Sequence, residues 1–385
     1  MTKSIQKKIF TVLMIWIFLY VCHLYYKDYS NNQVKPTHER IINKHKIQYR
    51  TINDTKPMKY VFKGKKIASY AAEIDRHFSA TPCQSPPFLL LVINSHARHK
   101  LRRDNIRKTW GFAVSHKGSD NLPAILWRTV FIVGVVNDSN VMTQLYEEAK
   151  SFNDLVISNI NENHRHLTNK TVLGMIWAQL YCHPMFFFKG DDDIWVNQFS
   201  LYKYGKTANQ SKDVATFWKG FIAIDNRKPI RNKHNKYYLS IDDFESDEFP
   251  PFCSGFAYIM SSHALQAMIA AIKDIKFIPK VDDVYVGFLA NKSGIQPKTE
   301  PGFHYITKHR DLKKEAQSAL AKHHVLTISQ QIKLRDLSYR YHIDQLCNTS
   351  STVSHLDSNY FKDFQLFFHY NFKRKFNCSN FNSVT

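Results

Sequence analysis

An α/β fold with a mainly parallel central sheet is predicted by three features of the sequence. Short apolar runs, FLLLVI at 88–93 and VFIVGVV at 130–136, have the length and texture of strands buried on both faces. Helix-like stretches separate and follow them, which is the alternation that builds parallel sheets. A further strand-like run, Met185 to Lys189, leads into three aspartates, and ligands in such sheets gather at the carboxyl ends of strands.

Taken from the amino terminus, residues 1–8 carry Lys3, Lys7 and Lys8 and are expected to be a cytosolic tail, since clustered positive charge stays on that side of a span. Residues 9–26 carry no formal charge. At the helical rise they reach roughly 27 Å, close to the thickness of a bilayer's hydrocarbon core. The run is long for a signal-peptide core and ends in Tyr25, Tyr26 and Lys27 where a cleavage site needs small residues, so an uncleaved anchor with type II orientation is expected. Lys27 and Lys35 on the far side weigh against that orientation. Residues 27–84 are polar, rich in Lys, Asn and His, and without sustained periodicity, which reads as a stem. A small folded subdomain over 60–78 is the alternative.

The main domain is expected over 85–345, with strands at 88–93, 130–136 and 185–189 and helices at 141–152 and 167–181. In the last of these, Val172, Met175, Ile176 and Leu180 recur at helical spacing. Residues 346–385 read as an aromatic extension, with Tyr360, Phe361, Phe364, Phe367, Phe368 and Tyr370 expected to pack on the domain, binding of a lipid-linked acceptor being the alternative.

The basic excess, 53 Lys+Arg against 32 Asp+Glu, fits nucleic acid, anionic lipid or a solvated surface equally, so charge alone does not choose. The span and the sequons argue against nucleic acid. Asn53, Asn137, Asn169, Asn209, Asn291, Asn348 and Asn377 each stand two residues before Ser or Thr, a set that favours a lumenal surface. Beyond Cys22 in the span, Cys83, Cys182, Cys253, Cys347 and Cys378 are scattered without a CxxC pair, so disulfides fit better than zinc and their pairing stays open.

Three segments carry chemistry. Asp191, Asp192 and Asp193 sit between apolar runs, where three carboxylates repel one another and suit a divalent cation with oxygen ligands; an acidic turn capping the next helix is the plainer reading. Asp282 and Asp283 could supply a base on a separate segment, or cap a helix. Arg102, Arg103 and Arg107 offer planar forks for phosphate, or a basic helix face.

In order along the chain, these segments resemble those of the β-1,3-galactosyltransferase and N-acetylglucosaminyltransferase family, which includes the Fringe-related enzymes. An RRxxIRxTWG segment is matched by residues 102–111. A KxDDDxFVN segment is matched by Lys189, Asp191, Asp192, Asp193, Val196 and Asn197. A YPPYCxGxxYxxS segment is matched at Phe249, Pro250, Pro251, Phe252, Cys253, Gly255, Tyr258 and Ser261, and EDVxxG at Asp282, Asp283, Val284 and Gly287. The resemblance covers roughly residues 85–340.

It implies a GT-A type nucleotide-sugar-binding fold, Rossmann-like, behind an N-terminal transmembrane helix in the Golgi membrane. It also implies an inverting, Mn²⁺-dependent transfer of galactose or N-acetylhexosamine from a UDP-sugar to a saccharide acceptor on a glycoprotein or glycolipid. Carried over by residue, Asp193 is the principal metal ligand, with Asp191 and His324 joining it; His323 is a neighbour and His355 a remote alternative. Lys189, Asp191, Asp192, Arg102, Arg103 and Arg107 fall on the donor side, Asp282, Gly255 and Phe256 on the acceptor side, and Asp283 is the base. Departures are Gly190 where Thr is usual, Asp282 in place of Glu, Phe256 and Ala257 in place of glycines, and His164 and His166 before Leu167. A catalytically silent relative that binds UDP-sugar is the alternative.

Overall fold

β1 (Leu89–Asn94) is buried along its whole length and pairs in parallel with a strand on each side. Its neighbours are β3 (Pro123–Val135) and β5 (Phe186–Asp191). β4 (Leu155–Asn161) continues the parallel half beyond β3, whose other end pairs antiparallel with β2 (Val114–Lys117). On the far side of β5 the direction changes. β8 (Cys253–Ser261) runs antiparallel to both β5 and β7 (Trp218–Ile222), and β9 (Lys298–Thr299) closes that edge parallel to β7. The architecture is mixed α/β with the mainly parallel sheet expected, its antiparallel pairs lying at β2–β3, β5–β8 and β7–β8.

The computed structural model describes residues 65–75, 77–117, 123–222, 228–306 and 311–348. The expected cytosolic tail, the 9–26 anchor, Asn53, most of the stem, and the 346–385 extension with His355 and Asn377 fall outside these or on the end of the last helix. Among the described residues no helix is long and apolar enough to cross a membrane.

Successive strand residues point to opposite faces, and the core divides accordingly. Leu89, Leu91, Ile93, Phe131, Phe186 and Phe188 fill one side, while Leu90, Val92, Val130, Ile132 and Phe187 fill the other. Each fully buried side chain of this size contributes about 1.5–3 kcal/mol, so unbroken apolar strands suit only a sheet covered on both faces. The cover on the second face is α4 (Leu167–Tyr181), apolar around most of its circumference. A Cβ at Gly174 would lie 2.9 Å from Val92 Cγ1 and 3.0 Å from Ile132 Cγ1, so glycine is what lets this helix seat directly on β1 and β3. α2 (Lys100–Thr109) and α3 (Ser139–Phe152) lie in the first half of the domain; Asp138 caps α3 by accepting from Val141 N at 3.2 Å, which starts the helix two residues ahead of the expected 141.

The folded region begins before residue 85. α1 (Lys65–Ala72) is followed by a bridge from Ile74 to Ser158 and a backbone bond from Ala80 N to Leu155 O. Ile74 and Ala80 are buried, so the end of the expected stem belongs to the domain. A disulfide joins Cys83 to Cys182 at the end of α4, 99 residues apart in sequence. Closing a loop of that size stabilises by up to about 5 kcal/mol.

A second, three-stranded sheet places the rest of the site. β6 (Trp195–Val196) pairs antiparallel with β11 (Ala321–Lys322), which pairs in parallel with β10 (Phe303–His304). α5 (Gln198–Asn209), α6 (Ser262–Ala271), α7 (Asp282–Lys292), α8 (Leu312–Ser318) and α9 (Ile328–Asn348) complete the described residues.

Candidate active site

The chain leaves β1 toward β3 on one side and returns as β5 on the other, and the crevice at such a switch point is where ligands bind in open sheets. Asn94 at the end of β1 stands opposite Asp191 at the end of β5. The three aspartates emerge there, and the structure sends each to a different partner.

Asp192 turns to the loop after β1. Its Oδ2 accepts from Ser95 Oγ and His99 Nδ1, both at 2.8 Å, and its Oδ1 accepts from Arg102 at 2.8 Å. Burial opposes its charge, but the bonds from His99, Ser95 and Arg102 outweigh that and hold its pKa below the usual carboxylate range. Arg102 thus joins Asp192, the other residue expected on the donor side. His99 and Ser95 were not singled out from the sequence; an unpatterned histidine and serine in a loop carry no local signal.

Arg103 and Arg107 have a different task from the expected one. Arg103 is fully buried, paired with Glu148 at 2.7 and 2.8 Å, and donates to Ser95 Oγ, His96 O and Ala97 O. Arg107 is held by Asp154, Glu148 and Asp104. A guanidinium spent on so many acceptors has no fork left for a phosphate; Arg103 braces the loop that carries Ser95, while Arg107 ties α2 to Glu148 and Asp154.

Asp191 turns to Lys189, whose Nζ lies 2.8 Å from Asp191 Oδ1, 3.2 Å from Asp282 Oδ2, and in a short bond with Gly255 O. Burial works against this ammonium, yet Asp191 and Asp282 raise its pKa and keep it charged. The Asp191 carboxyl is pushed up to about 7, first by burial and then by nearby Asp282 and Asp193, with Lys189 pulling the other way. Asp282, expected on the acceptor side, is buried and accepts from Thr171 Oγ1 at 2.7 Å as well as facing Lys189. It is a support beneath the site.

Asp283 opens α7. Its Oδ2 accepts from Gly255 N at 3.0 Å and its Oδ1 from Val284 N at 2.9 Å. Burial, with Asp282 alongside, pushes its pKa up to about 6, against the opposing pull of the Gly255 bond and Lys189. Gly255 therefore bonds two ways, its N–H to the candidate base and its carbonyl to Lys189. A Cβ there would come within 3.4 Å of Asp282 Oδ1 and Asp283 Oδ2.

Asp193 turns to the other edge of the crevice. His323 Nε2 lies 3.8 Å from its Oδ1 and His324 Nδ1 4.0 Å from its Oδ2. The ligand atoms of these three side chains all lie within 4.8 Å of one another. Asp193 Oδ1 is buried and has no hydrogen-bond partner among the described residues, so a cation fits the unmet demand of this carboxylate. Asp191 is not in this group, because Lys189 holds its carboxylate. Phe256, expected to face an acceptor, is buried against the rings of His323 and Tyr305, at 5.1 and 5.7 Å between centroids.

The sequons scatter over the domain. Asn137 and Asn291 are exposed, Asn209 is half-buried near the end of α5, and Asn348 ends α9. Asn169 is half-buried in α4, with its sequon Thr171 accepting from Asn94 at 2.7 Å and donating to Asp282.

A family model for galactosyltransferases matches residues 101–301. The chain is 29% identical over 221 residues to beta-1,3-galactosyltransferase 1 of Mus musculus and of Homo sapiens, a match covering 57% of this chain and 64% of those relatives' length. It is 32% identical over 216 residues to beta-1,3-galactosyltransferase 5 of Mus musculus, covering 56% of this chain and 67% of that one. Among solved structures, S. aureus TarS 1–349 aligns over 77% of this chain and 74% of its own at 11% identity and a TM-score of 0.32, too loose a likeness to carry an argument.

Proposed function

Since this chain belongs to the galactosyltransferase family, we propose that it is an inverting hexosyltransferase that moves galactose, or an N-acetylhexosamine, from a UDP-sugar to a saccharide hydroxyl in a β-1,3 linkage. The observation that carries the reading is a cation-suited cluster, Asp193 with His323 and His324, just past the strand whose Lys189 bonds Gly255, and Asp283, a carboxyl of raised pKa held by that same Gly255.

A displacement at a sugar carbon needs a base that takes the acceptor proton as the new bond forms, on the side opposite the leaving diphosphate. With its pKa near 6, Asp283 is ionised at neutral pH yet basic enough to accept that proton, and general-base assistance of this kind contributes typically 10²–10⁴-fold. The Gly255 N–H and the Val284 N–H fix its two oxygens. Asp192, held ionised by His99, Ser95 and Arg102, presents acceptor lone pairs to hydroxyls of the donor. Lys189 keeps Asp191 and Asp282 apart in charge and together in space. A divalent cation, Mn²⁺ in this reading, would be held by Asp193 with the histidines and would supply Lewis-acid neutralisation of the departing diphosphate.

The wider setting is part of the same proposal: a single-pass type II protein of the Golgi membrane, with the domain in the lumen and an acceptor on a glycoprotein or glycolipid. Its supports are the uncharged 9–26 run, the exposed sequons at Asn137 and Asn291, and the Cys83–Cys182 disulfide, which suits an oxidising compartment.

The test is UDP release by the detergent-solubilised full chain with UDP-galactose, UDP-N-acetylglucosamine or UDP-N-acetylgalactosamine, across β-linked saccharide acceptors, with Mn²⁺ or EDTA. Acceptor-dependent release with one donor, lost in EDTA, is expected. UDP binding without turnover on any pair would make the chain a silent relative.

A further inference from the structure

We propose that the cavity between α1, the end of β4, α4 and α7 is a second saccharide-binding site, separate from the residues proposed for transfer, and that it takes a neutral, hydroxyl-rich sugar. It needs neither nucleotide nor cation, so it goes beyond the transfer reading. Its volume is about 440 Å³, within the range of about 300–1,000 Å³ usual for small-molecule sites.

The walls are set by where α1 docks. Asn159 N donates to Glu73 O at 2.8 Å, next to the bridge from Ile74 to Ser158, so the end of α1 is fixed over β4. Tyr70 of α1, Tyr285 of α7 and Phe277 from the segment before it then line one cavity. Tyr285 is its floor: 1% exposed, with its ring 5.7 Å from that of Phe277. A buried phenol usually finds a hydrogen-bond partner, yet the Tyr285 hydroxyl has none among the described residues. Burial raises the pKa of both phenols, that of Tyr70 to about 12, so each keeps its proton to donate. Asn169 Oδ1 on α4 is likewise buried without a partner among the described residues. His166 spends Nδ1 on Asn161 O at 3.0 Å, which leaves Nε2 as an acceptor. The exposed side chains of Glu73 and Asn161 stand at the mouth.

Rings surrounded by unspent donors and acceptors suit a pyranose, which turns a C–H face to an aromatic side chain and hydroxyls to the polar groups around it. Charge narrows the class further. Among the described residues no lysine or arginine lines the cavity, and Glu73 adds negative charge, so phosphates, sulfates and sialylated sugars are disfavoured. Asn169 and Thr171 are two residues apart on α4, about 200° around the helix, so the cavity and the Thr171–Asp282 bond lie on opposite sides of it. Asn169 is also a sequon asparagine in the cavity wall, so the sugar reaches the site either as a free glycan or attached to Asn169.

The experiment titrates the full chain, solubilised in a detergent without a sugar head group and free of UDP and metal, with N-acetyllactosamine and with its sialylated form, read by saturation-transfer NMR and calorimetry. Saturable binding of the neutral sugar and none of the sialylated one is expected. Tyr285→Phe, which keeps the ring, and Asn161→Ala at the mouth are each expected to weaken binding about three- to tenfold, while Asp283→Asn leaves it unchanged. Binding that is absent from both the wild type and Asn169→Gln, unchanged in both Tyr285→Phe and Asn161→Ala, or lost in Asp283→Asn overturns the proposal. Binding that emerges only in Asn169→Gln, with a glycan located on Asn169 of the wild type by peptide mass, assigns the site to the chain's own glycan; binding to the wild type assigns it to a free one. UDP release is measured in parallel, so a chain that binds the sugar through Tyr285 but transfers nothing keeps this inference and loses the transfer reading. One that transfers but shows no such binding does the reverse.

Discussion

The ammonium of Lys189 lies 3.2 Å from Asp282 Oδ2, joining the strand that delivers the three aspartates to the helix that carries the candidate base. Lys189 is 1% exposed and also reaches Asp191 and the Gly255 carbonyl, whose own N–H holds Asp283. Both acidic motifs therefore depend on one buried cation.

Replacing that cation alone leaves two carboxylates crowded without compensation. Lys189→Met is expected to lower stability by about 3–5 kcal/mol, measured by urea unfolding, and the double variant Lys189→Met, Asp282→Asn is expected to recover part of the loss. Equal losses in the single and double variants would show that Asp282 is not the partner that matters.

Asp283→Asn removes the base but keeps an acceptor oxygen for the Gly255 N–H. Transfer is expected to fall by at least about 10²-fold with UDP binding preserved. In the wild type, kcat/KM is expected to rise with pH through about 6, because the carboxyl must be ionised to act. The stability sign runs the other way. A carboxyl whose pKa is raised on folding contributes stability that is present below its ordinary value near 4 and lost as pH rises toward 6, so Asp283→Asn is expected to raise Tm at pH 7 and leave it nearly unchanged at pH 4.

His342 sits buried near Asn197 Oδ1 and Ser200 Oγ, and burial, with Lys203 adding to it, lowers its pKa to about 3. A neutral imidazole of this kind contributes stability that is complete above its ordinary value near 6.5 and is lost as pH falls from there toward 3. Acid unfolding is expected to be shallower in His342→Gln over that window, with a difference of up to about 1.4 kcal/mol per pH unit. Parallel pH profiles of Tm for the two proteins would locate the acid sensitivity elsewhere.

His324→Gly relieves a backbone at φ 56° that glycine adopts freely. Metal-free protein is expected to gain about 1 kcal/mol, seen as a Tm higher by a few degrees, while the stabilisation given by added Mn²⁺ shrinks. An unchanged metal-free Tm would mean that the φ of 56° costs the fold nothing.

Much of the scaffold was readable along the chain. The apolar run at 88–93 and the strand-like run at 185–189 read as strands, and the structure makes them β1 and β5, side by side with Asp191 at the carboxyl end. Motif order pointed to the galactosyltransferase family. The start of the folded region is not legible in the sequence because α1 and the Ile74 bridge are short and are held by distant α4 and β4.

Backbone preference and burial are written in neighbouring residues, so sequence alone determined the α/β class, the strand ends and the acidic motifs. Which charge meets which is decided by packing across the whole domain, and only the tertiary structure could settle it. RRxxIRxT looks like three equivalent arginines, yet one reaches Asp192 while two are spent on Glu148 and Asp154, because Glu148 and Asp154 arrive from α3 and the turn after it. Two adjacent histidines look redundant until β11 docks on β6 and a left-handed turn aims both at Asp193.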